Sequence, residues 1–336
     1  MPFHPSGSLA RLLERLFIDA CTRFLDASTV MCIESSNRPT THANLGERGA
    51  VRYDSAVLER VAQRFRRDMW DSVVPEAVSE SGVEVERFGP VQATAFGDLP
   101  EVHMLQQIQG AAEPGAIEGG HLAAAVEWMR AREVDYRIPV AASRPGATEA
   151  EQWLGGRGYE RGAGWVKMVR DGSPPDFGVD PGIEIYRLGE DEAEGEGLST
   201  IAAEALEIPL VAGTLFFSLP QRNGWHCYTA ALGPDEVPVS TGSMLIVDGV
   251  AQLGAGTTLE AARGLGCNAA LLHRRLLDAH RAGCHTVFVE VGECDLASWS
   301  AVTRNLRRAG FEEAYEGRNW QRPALHPAEL PGRFSG

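Results

Sequence analysis

Lysine is almost absent from this chain. Lys167 is the only lysine among the 31 basic residues, a skew that is typical of a GC-rich genome and indicates no mechanism. The six cysteines are scattered and include no CxxC pair, which excludes the common zinc-ligand spacing and argues against a disulfide framework. No stretch approaches the ~18 uninterrupted apolar residues of a membrane-spanning helix, and the first residues lack the basic and apolar segments of a secretion signal. We therefore expect a cytoplasmic protein with no metal site and no membrane contact.

Positive charge is also in short supply. The 336 residues include 46 acidic and 31 basic side chains, so the formal net charge is −15. Nucleic-acid backbones are held by clustered arginine and lysine, and this balance therefore argues against nucleic-acid binding. Apolar residues make up 44% of the chain and charged residues 23%, which is the composition of a globular protein, and the length allows two domains.

A proline pair marks the strongest boundary in the sequence. Pro174 and Pro175 lie among small polar residues, followed shortly by Pro181 and Gly182. Because adjacent prolines neither continue a helix nor fit a central strand, this segment predicts a linker. The predicted organisation is a first domain over 1–172, a linker over 173–182, a second domain over 183–326 and a tail over 327–336.

The two sides of this linker resemble each other. The segment 154–160 (LGGRGYE) recurs as 306–312 (LRRAGFE), and Arg130-Ala131 recurs 151 residues later as Arg281-Ala282. In both copies the pattern predicts a helix, a short apolar strand, a second helix and a turn of glycine and an aromatic residue. We interpret the chain as a duplicated domain.

Periodicity predicts an antiparallel meander in the second half, followed by strand, helix, strand, helix and strand. Residues 183–188 alternate apolar and polar side chains as a strand does, and turn residues separate the strands that follow. Gly283 ends the long helix, as a C-terminal glycine does. The predicted strands are 183–188, 225–232, 237–247, 250–257 and 285–291, and the predicted helices are 198–210, 267–282 and 300–308.

One strand–turn–helix corner carries the strongest functional signal. Between the strand ending at Thr257 and the helix starting at Cys267, the turn contains Gly264 and Gly266. The first amides of a helix have no partner within the helix, and the helix dipole places partial positive charge there. Glycines let an anion approach the backbone, and Arg263 adds a permanent charge. The corner therefore predicts a binding site for a diphosphate.

The same corner resembles the acetyl-CoA site of GNAT (Gcn5-related N-acetyltransferase) proteins. Their signature is Arg or Gln, two residues, Gly, one residue and then Gly or Ala, between a strand and a long helix. Arg263 and Gly266 match it, whereas Asn268 departs from it. The resemblance covers residues 183–322 and, more weakly, the first half. It implies an α/β protein of two tandem GNAT-like domains, each a mostly antiparallel sheet flanked by helices.

The resemblance also implies the ligands. Acetyl-CoA, or another short acyl-CoA, would be the co-substrate, and an amine of a small molecule or peptide would be the acceptor. Backbone groups of Thr257, Thr258 and Leu259 would hold the pantetheine arm, and Asn305 would lie near CoA. The diphosphate would be held by Arg263, Gly264, Leu265, Gly266, Cys267, Asn268 and Ala269. We expect a monomer or a homodimer.

The catalytic groups are less evident than the CoA site. Leu306 occupies the position at which many GNAT proteins carry a tyrosine that acts as general acid. Glu290, near the end of a central strand, is the candidate base or substrate-binding acid, because a lone buried carboxylate is costly. Alternation equally allows it to face solvent. The missing tyrosine keeps a second function open, that of an acyl-CoA-binding module without transferase activity.

A dinucleotide-binding oxidoreductase would use the same glycines. Gly264, Gly266 and Ala269 have the spacing of its fingerprint, with Glu290 as a ribose-binding acid. Two features argue against this alternative. Five residues separate the turn from its strand, and the 46 residues after Glu290 are too few for the other parallel strands of that fold.

The first copy lacks the features of the corner. A shift of 151 residues places Ala112 and Gly115 at the positions of the arginine and the glycine, with Glu113 and Pro114 between them and Glu118 just after. Carboxylates repel a diphosphate, and proline removes an amide donor. We expect a degenerate first domain that binds no CoA and is a structural or dimer-forming partner.

Overall fold

The computed structural model describes residues 51–72, 82–99, 105–189, 192–232, 237–292 and 296–322. The first 50 residues of the predicted first domain, the turn at 233–236 and the predicted tail lie outside the described residues. Among the helices of the described part, none combines the length and the apolar character that a bilayer crossing requires.

The described part of the first half begins with an amphipathic helix. The Asp54 side chain caps it by accepting a hydrogen bond of 2.8 Å from the Ala56 amide, and Leu58, Val61 and Phe65 are buried at helical spacing. The elements that follow are three short antiparallel strands and then helix, strand, helix and strand. In order they are α1 (Ser55–Trp70), β1 (Val83–Phe88), β2 (Val91–Phe96), β3 (Gln107–Gln109), α2 (His121–Arg130), β4 (Ile138–Ala141), α3 (Ala147–Gly155) and β5 (Glu160–Asp171).

The second half repeats this order after one additional strand. Its elements are β6 (Ile183–Arg187), α4 (Glu192–Leu206), α5 (Leu210–Gly213), β7 (Trp225–Leu232), β8 (Val237–Val247), β9 (Val250–Thr258), α6 (Cys267–Arg281), β10 (Thr286–Gly292), α7 (Leu296–Arg308) and β11 (Glu312–Gln321). The predicted strands are confirmed to within one residue. Helices α4 and α7 begin earlier than predicted, because their first turns lack the apolar periodicity on which the prediction depended. Helix α4 also ends at Leu206, before the predicted end at 210, and α5 is a separate helix.

Two sheets contain these strands. Strands β1, β2 and β3 form one, and the other has the order β4-β11-β5-β10-β9-β8-β7-β6. Each half therefore inserts its last strand between the last two strands of the other half. The pairs are antiparallel except β9–β10, and an isolated parallel bridge between Gln107 and Arg137 repeats that pairing in the first half. The mixed α/β fold with mostly antiparallel sheets is as expected, while the domain boundaries stay predictions.

The large sheet is covered on both faces. Helices α6 and α7 pack on one face, where Leu272, Leu276 and Leu306 meet Val287. Helices α1 and α4 pack on the other face, with Phe65 among the buried residues there. Because α1 belongs to the first half and α4 to the second, the two halves share this core. Burial of apolar area at ~25 cal/mol per Å² is the main stabilising term for such a shared core.

The alignment of the two copies differs from the one expected at the corner. Helix α2 has 10 residues and α6 has 15, so the two helices end 151 residues apart but start only 146 apart. Gly120, which precedes α2 with φ of 71°, is therefore the counterpart of Gly266, with φ of 93°. The expectation that Gly115 occupies this place was wrong, because the shift was taken from the helix ends and missed the five-residue difference in helix length.

Candidate functional site

A cleft opens where β9 and β10 separate. The two strands pair in parallel from Val250 and Thr286 to Leu253 and Val289. Beyond this point β9 continues to Thr258 and β10 to Gly292. Residues 254–258 thus pair with β8 only, and their other edge faces the cleft. Unpaired strand edges offer N–H and C=O groups to an extended ligand.

A β-bulge in β9 causes the separation. Thr241 of β8 pairs with Thr257 of β9, and Ser243 of β8 pairs with Gly254 of β9. Between these two pairs β8 advances two residues and β9 three, so β9 contains one extra residue. Ala255 has φ of 46° there. An extra residue bends the bulged strand and raises its twist, which turns residues 254–258 away from β10. The Ser240 hydroxyl donates to the Thr257 carbonyl at 2.5 Å and holds the end of β9 on β8.

The second-half corner, residues 259–269, lies at the open end of β9. A 3-10 turn over Glu260–Ala262 leads to Gly264, Gly266 and the start of α6. Both glycines have positive φ, which a residue with a Cβ adopts only with strain. Within the described residues, no backbone carbonyl accepts from the amides of residues 266–269. These amides and the helix dipole are available to an anion, and the binding of a diphosphate there stays a prediction.

The predicted cofactor residues meet at this corner. Arg263, Gly264, Leu265 and Gly266 are exposed, and Asn268 and Ala269 are half-buried. The Arg263 guanidinium donates to the carbonyls of Thr258 and Ala205, each at 3.4 Å. Because these hydrogen bonds are long, the guanidinium remains available to bind another group. At the end of β9, Thr257 is buried and Thr258 is half-buried, as is Leu259, which directly follows the strand.

Two solved structures resemble this chain in fold. A GCN5-related N-acetyltransferase from Kribbella flavida matches with a TM-score of 0.50 and 18% identity, covering 78% of this chain and 97% of that one. A GCN5-related N-acetyltransferase from Sphaerobacter thermophilus matches with a TM-score of 0.51 and 18% identity, covering 70% of this chain and 78% of that one. The chain has the GNAT fold. No protein-family model matches the sequence, and no curated protein matches it either.

The strand pairing of the second half argues against the dinucleotide-binding alternative. A dinucleotide fold needs a succession of parallel strands on both sides of the glycine turn. Here β9 and β10 are the one parallel pair among the strands of the described residues, and β10 continues into antiparallel pairing with β5. The same part of the chain contains no group of three or more His, Cys, Asp or Glu side chains that could hold a metal ion.

Glu290 directly follows the last residue of β10 that pairs with β9, at the narrow end (the apex) of the cleft, and belongs to a buried ionic cluster. Its Oε1 accepts from Arg66 Nη2 at 2.7 Å and lies 3.0 Å from Lys167 Nζ. Lys167 also donates to Glu59 at 2.5 Å, and the Tyr315 hydroxyl donates to the same Glu59 oxygen at 2.6 Å. The cluster joins α1, β5, β10 and β11, so it connects the two halves.

The charges of this cluster determine the ionisation of Glu290. Burial alone would raise its pKa, but the Arg66 and Lys167 charges outweigh burial and lower the pKa to about 2. Glu290 is therefore ionised at neutral pH and is a weak proton acceptor. Its Oε2 accepts no hydrogen bond from the described residues, so this oxygen can still receive an ammonium or a water.

Other candidate residues lie farther from the chemistry. Leu306, at the tyrosine position, is 5% exposed and packs in the core with Val291 and Phe311. Asn305 is half-buried on α7, and its side chain makes no hydrogen bond among residues 296–322 or their described neighbours. Cys267 is buried, and burial raises the pKa of its thiol, so it is a small neutral residue at the helix start.

Sequence reasoning missed Glu59, Arg66 and Tyr315 as neighbours of the site. Lys167 carried the one available signal, because a lone charge between Val166 and Met168 interrupts an apolar strand. Its ammonium is fully buried and lies 5.2–5.5 Å from the ring centroids of Trp165, Phe288 and Tyr315. Such cation–π contacts reduce the cost of burying the charge.

Proposed function

We propose that this protein is an acyl-CoA-dependent N-acyltransferase that transfers acetyl, or another short acyl group, to the amine of a small molecule or peptide. The observation that supports it is the cleft with an anion site at its open end. Residues 254–258 span about 13 Å at ~3.3 Å per residue, which suits an extended pantetheine arm. With the diphosphate on the amides of residues 266–269, the thioester would lie at the apex of the cleft.

The proposed reaction forms a C–N bond and breaks the C–S bond of the thioester. The acceptor ammonium must lose a proton before attack, and the departing thiolate must gain one. Alignment of amine and thioester in the cleft would supply much of the acceleration, helped by backbone donors along β9. Glu290, the predicted catalytic residue, would use Oε2 to hold the acceptor nitrogen or a water, because its low pKa makes it a weak base.

Calorimetric titration with acetyl-CoA tests the site, with NAD(H) as the ligand control. We expect micromolar binding of acetyl-CoA and no binding of NAD(H). Arg263→Glu should weaken acetyl-CoA binding at least ~100-fold, because it replaces a favourable charge with a repelling one at the diphosphate. Arg281→Glu makes the same charge change about 21 Å away, at the other end of α6, and should leave affinity within about twofold. Equal effects of the two variants would place the ligand elsewhere.

A non-catalytic acyl-CoA-binding module remains the second candidate. Leu306 is buried where a general acid was expected, and Glu290 is a weak base. At the apex, the Phe65 ring of α1 lies against Gly254, so close that a Cβ there would be 2.2 Å from it, which narrows the approach of an acceptor. A colorimetric assay for free CoA thiol across a panel of amines separates the two functions. Turnover with any amine excludes the binding module.

A further inference from the structure

Arg275 is a buried cation in the middle of α6. It is 4% exposed and lies on the helix face that packs against the sheet. The other residues of this face are apolar, among them Leu272, Leu276 and Ala279. Arginine is rarely buried without a charged partner, because removing its charge from water costs several kcal/mol. Its presence at this position therefore calls for an explanation.

Carbonyl groups hold one edge of the Arg275 guanidinium beneath the bulge of β9. Its Nε donates to the Leu271 carbonyl at 3.2 Å, and its Nη1 donates to the Ser243 carbonyl at 3.2 Å and to the Gly254 carbonyl at 3.3 Å. Gly242 makes room for the group, since a Cβ there would lie 2.9 Å from Arg275 Cζ. The guanidinium is thus fixed next to the apex of the cleft.

Arg275 has no counter-ion in the part of the chain that the structure describes. Asp278, the nearest acid along the helix, instead pairs with Arg274 at 2.8 Å and accepts from the Tyr228 hydroxyl at 2.9 Å. Burial lowers the pKa of Arg275 to about 10, which still leaves it charged at neutral pH. The charge next to the apex is therefore uncompensated.

The other edge of the guanidinium lies beside Gly256 of β9. Nη2 makes no hydrogen bond to the described residues, and neither does the side chain of Asn268. Both point toward the exposed Gly256, where a Cβ would lie 3.8 Å from Arg275 Nη2 and 3.9 Å from Asn268 Nδ2. A guanidinium edge and a side-chain amide, both without a hydrogen-bond acceptor among the described residues, thus lie near the same side of Gly256, and a charged donor with a second donor beside it suits a carboxylate.

We propose that Arg275 and Asn268 bind the free carboxylate of a dicarboxylic acyl-CoA, such as a malonyl or succinyl thioester. The inference rests on the proposed function and names its acyl class. A pantetheine carbonyl could accept the same hydrogen bonds, but as a neutral group it would leave the Arg275 charge uncompensated. The Phe65 ring fills the α1 side of the apex, so an acyl group longer than acetyl would extend toward α6. The positive charge of Arg275 lies on that side. The carboxylate takes no part in bond making or breaking.

Size-matched thioesters test the proposal by calorimetric titration of the full chain. Succinyl-CoA is compared with butyryl-CoA, and malonyl-CoA with propionyl-CoA, so that each pair differs in the carboxylate alone. At least one anionic thioester should bind ~10-fold or more tightly than its neutral match. Equal affinities within both pairs would overturn the inference and leave the proposed function intact. Failure of all four to bind would overturn the proposed function itself.

Two variants locate the effect. Arg275→Met keeps a long side chain without the charge and should reduce the anionic-to-neutral affinity ratio to about one. Asn268→Asp, at a half-buried position, tests the same point should the first variant fail to fold, and it should lower the ratio at least ~10-fold by repelling the carboxylate. The ratio is the readout, because either change can also alter the affinity for CoA as a whole. A ratio that neither variant changes would overturn the assignment.

Discussion

The two strand–turn–helix corners of this molecule have the same plan but opposite chemistry. In the second half, the amides at the start of α6 are free of backbone acceptors within the described residues, and Arg263 lies beside them. In the first half, the Leu122 amide at the start of α2 donates to the Ala116 carbonyl, and the amides of Gly119 and Gly120 donate to Gly115 and Ile117. Of the four first-half amides that correspond to those of residues 266–269, Gly120 and Leu122 thus donate within the first-half loop, residues 110–122, and these two are not available to an anion.

Side chains occupy the cleft beside the first-half corner. Between β3 and β4, Glu113 forms an ion pair with Arg144 and accepts from Gln63 of α1 at 2.7 Å. The cavity lined by Glu113, Arg144 and Trp165 has a volume of about 40 Å³, which is room for a few waters. A duplicated fold duplicates a ligand site only where the backbone donors and the space both remain available. That the first half binds no CoA stays a prediction.

The largest expected effect on stability comes from disrupting the buried ionic cluster that connects the two halves. Lys167→Met leaves Glu59 without its cation and removes one of two cations from Glu290, so the free energy of unfolding should fall by about 3–5 kcal/mol. Urea denaturation measures it. The double variant Lys167→Met/Glu59→Gln removes the stranded charge and should recover part of the loss. A loss below ~1 kcal/mol in the single variant would mean that the cluster does not hold the halves together.

The second-largest expected effect is the pH dependence of stability that comes from the ionisation of Glu290, and it tests the same ionic cluster. Its folded pKa lies below the ordinary value, so its ion pairs stabilise the protein above pH ~4.5, and this contribution is lost as pH falls from there toward ~2. Urea denaturation of wild type should therefore show a steeper loss of stability between pH 5 and pH 3 than Glu290→Gln does. Parallel pH dependences would show that Glu290 is not ion-paired.

A matched pair of glycine variants sharpens the comparison of the corners and has the smallest effect on stability. Gly120→Ala and Gly266→Ala each place a Cβ at positive φ, which should cost about 1–2 kcal/mol of unfolding free energy. Only Gly266→Ala should also weaken acetyl-CoA binding, by ~10-fold, because it displaces the amides that hold the diphosphate. Equal affinities in the two variants would remove the functional difference between the corners.

Much of the second half could be predicted from the sequence, because its signals are local. Strand alternation, the glycine that ends α6 and the small residues before it depend on neighbours a few positions away. The corner residues Arg263, Gly264 and Gly266 were found in this way. The same reasoning misaligned the first-half corner, because a helix that is five residues shorter leaves no local mark at its start.

The sequence by itself determined the elements, the glycine corner and the resemblance to GNAT proteins. Only the tertiary structure decided the exchange of β5 and β11 between the halves, the ion pairs of Glu290 and the burial of Arg275. Arg66 and Glu290 lie 224 residues apart, and Glu59 and Lys167 lie 108 apart. Contacts of this kind depend on which strands become neighbours in the sheet, and that choice follows from packing of the whole core, which no local pattern records.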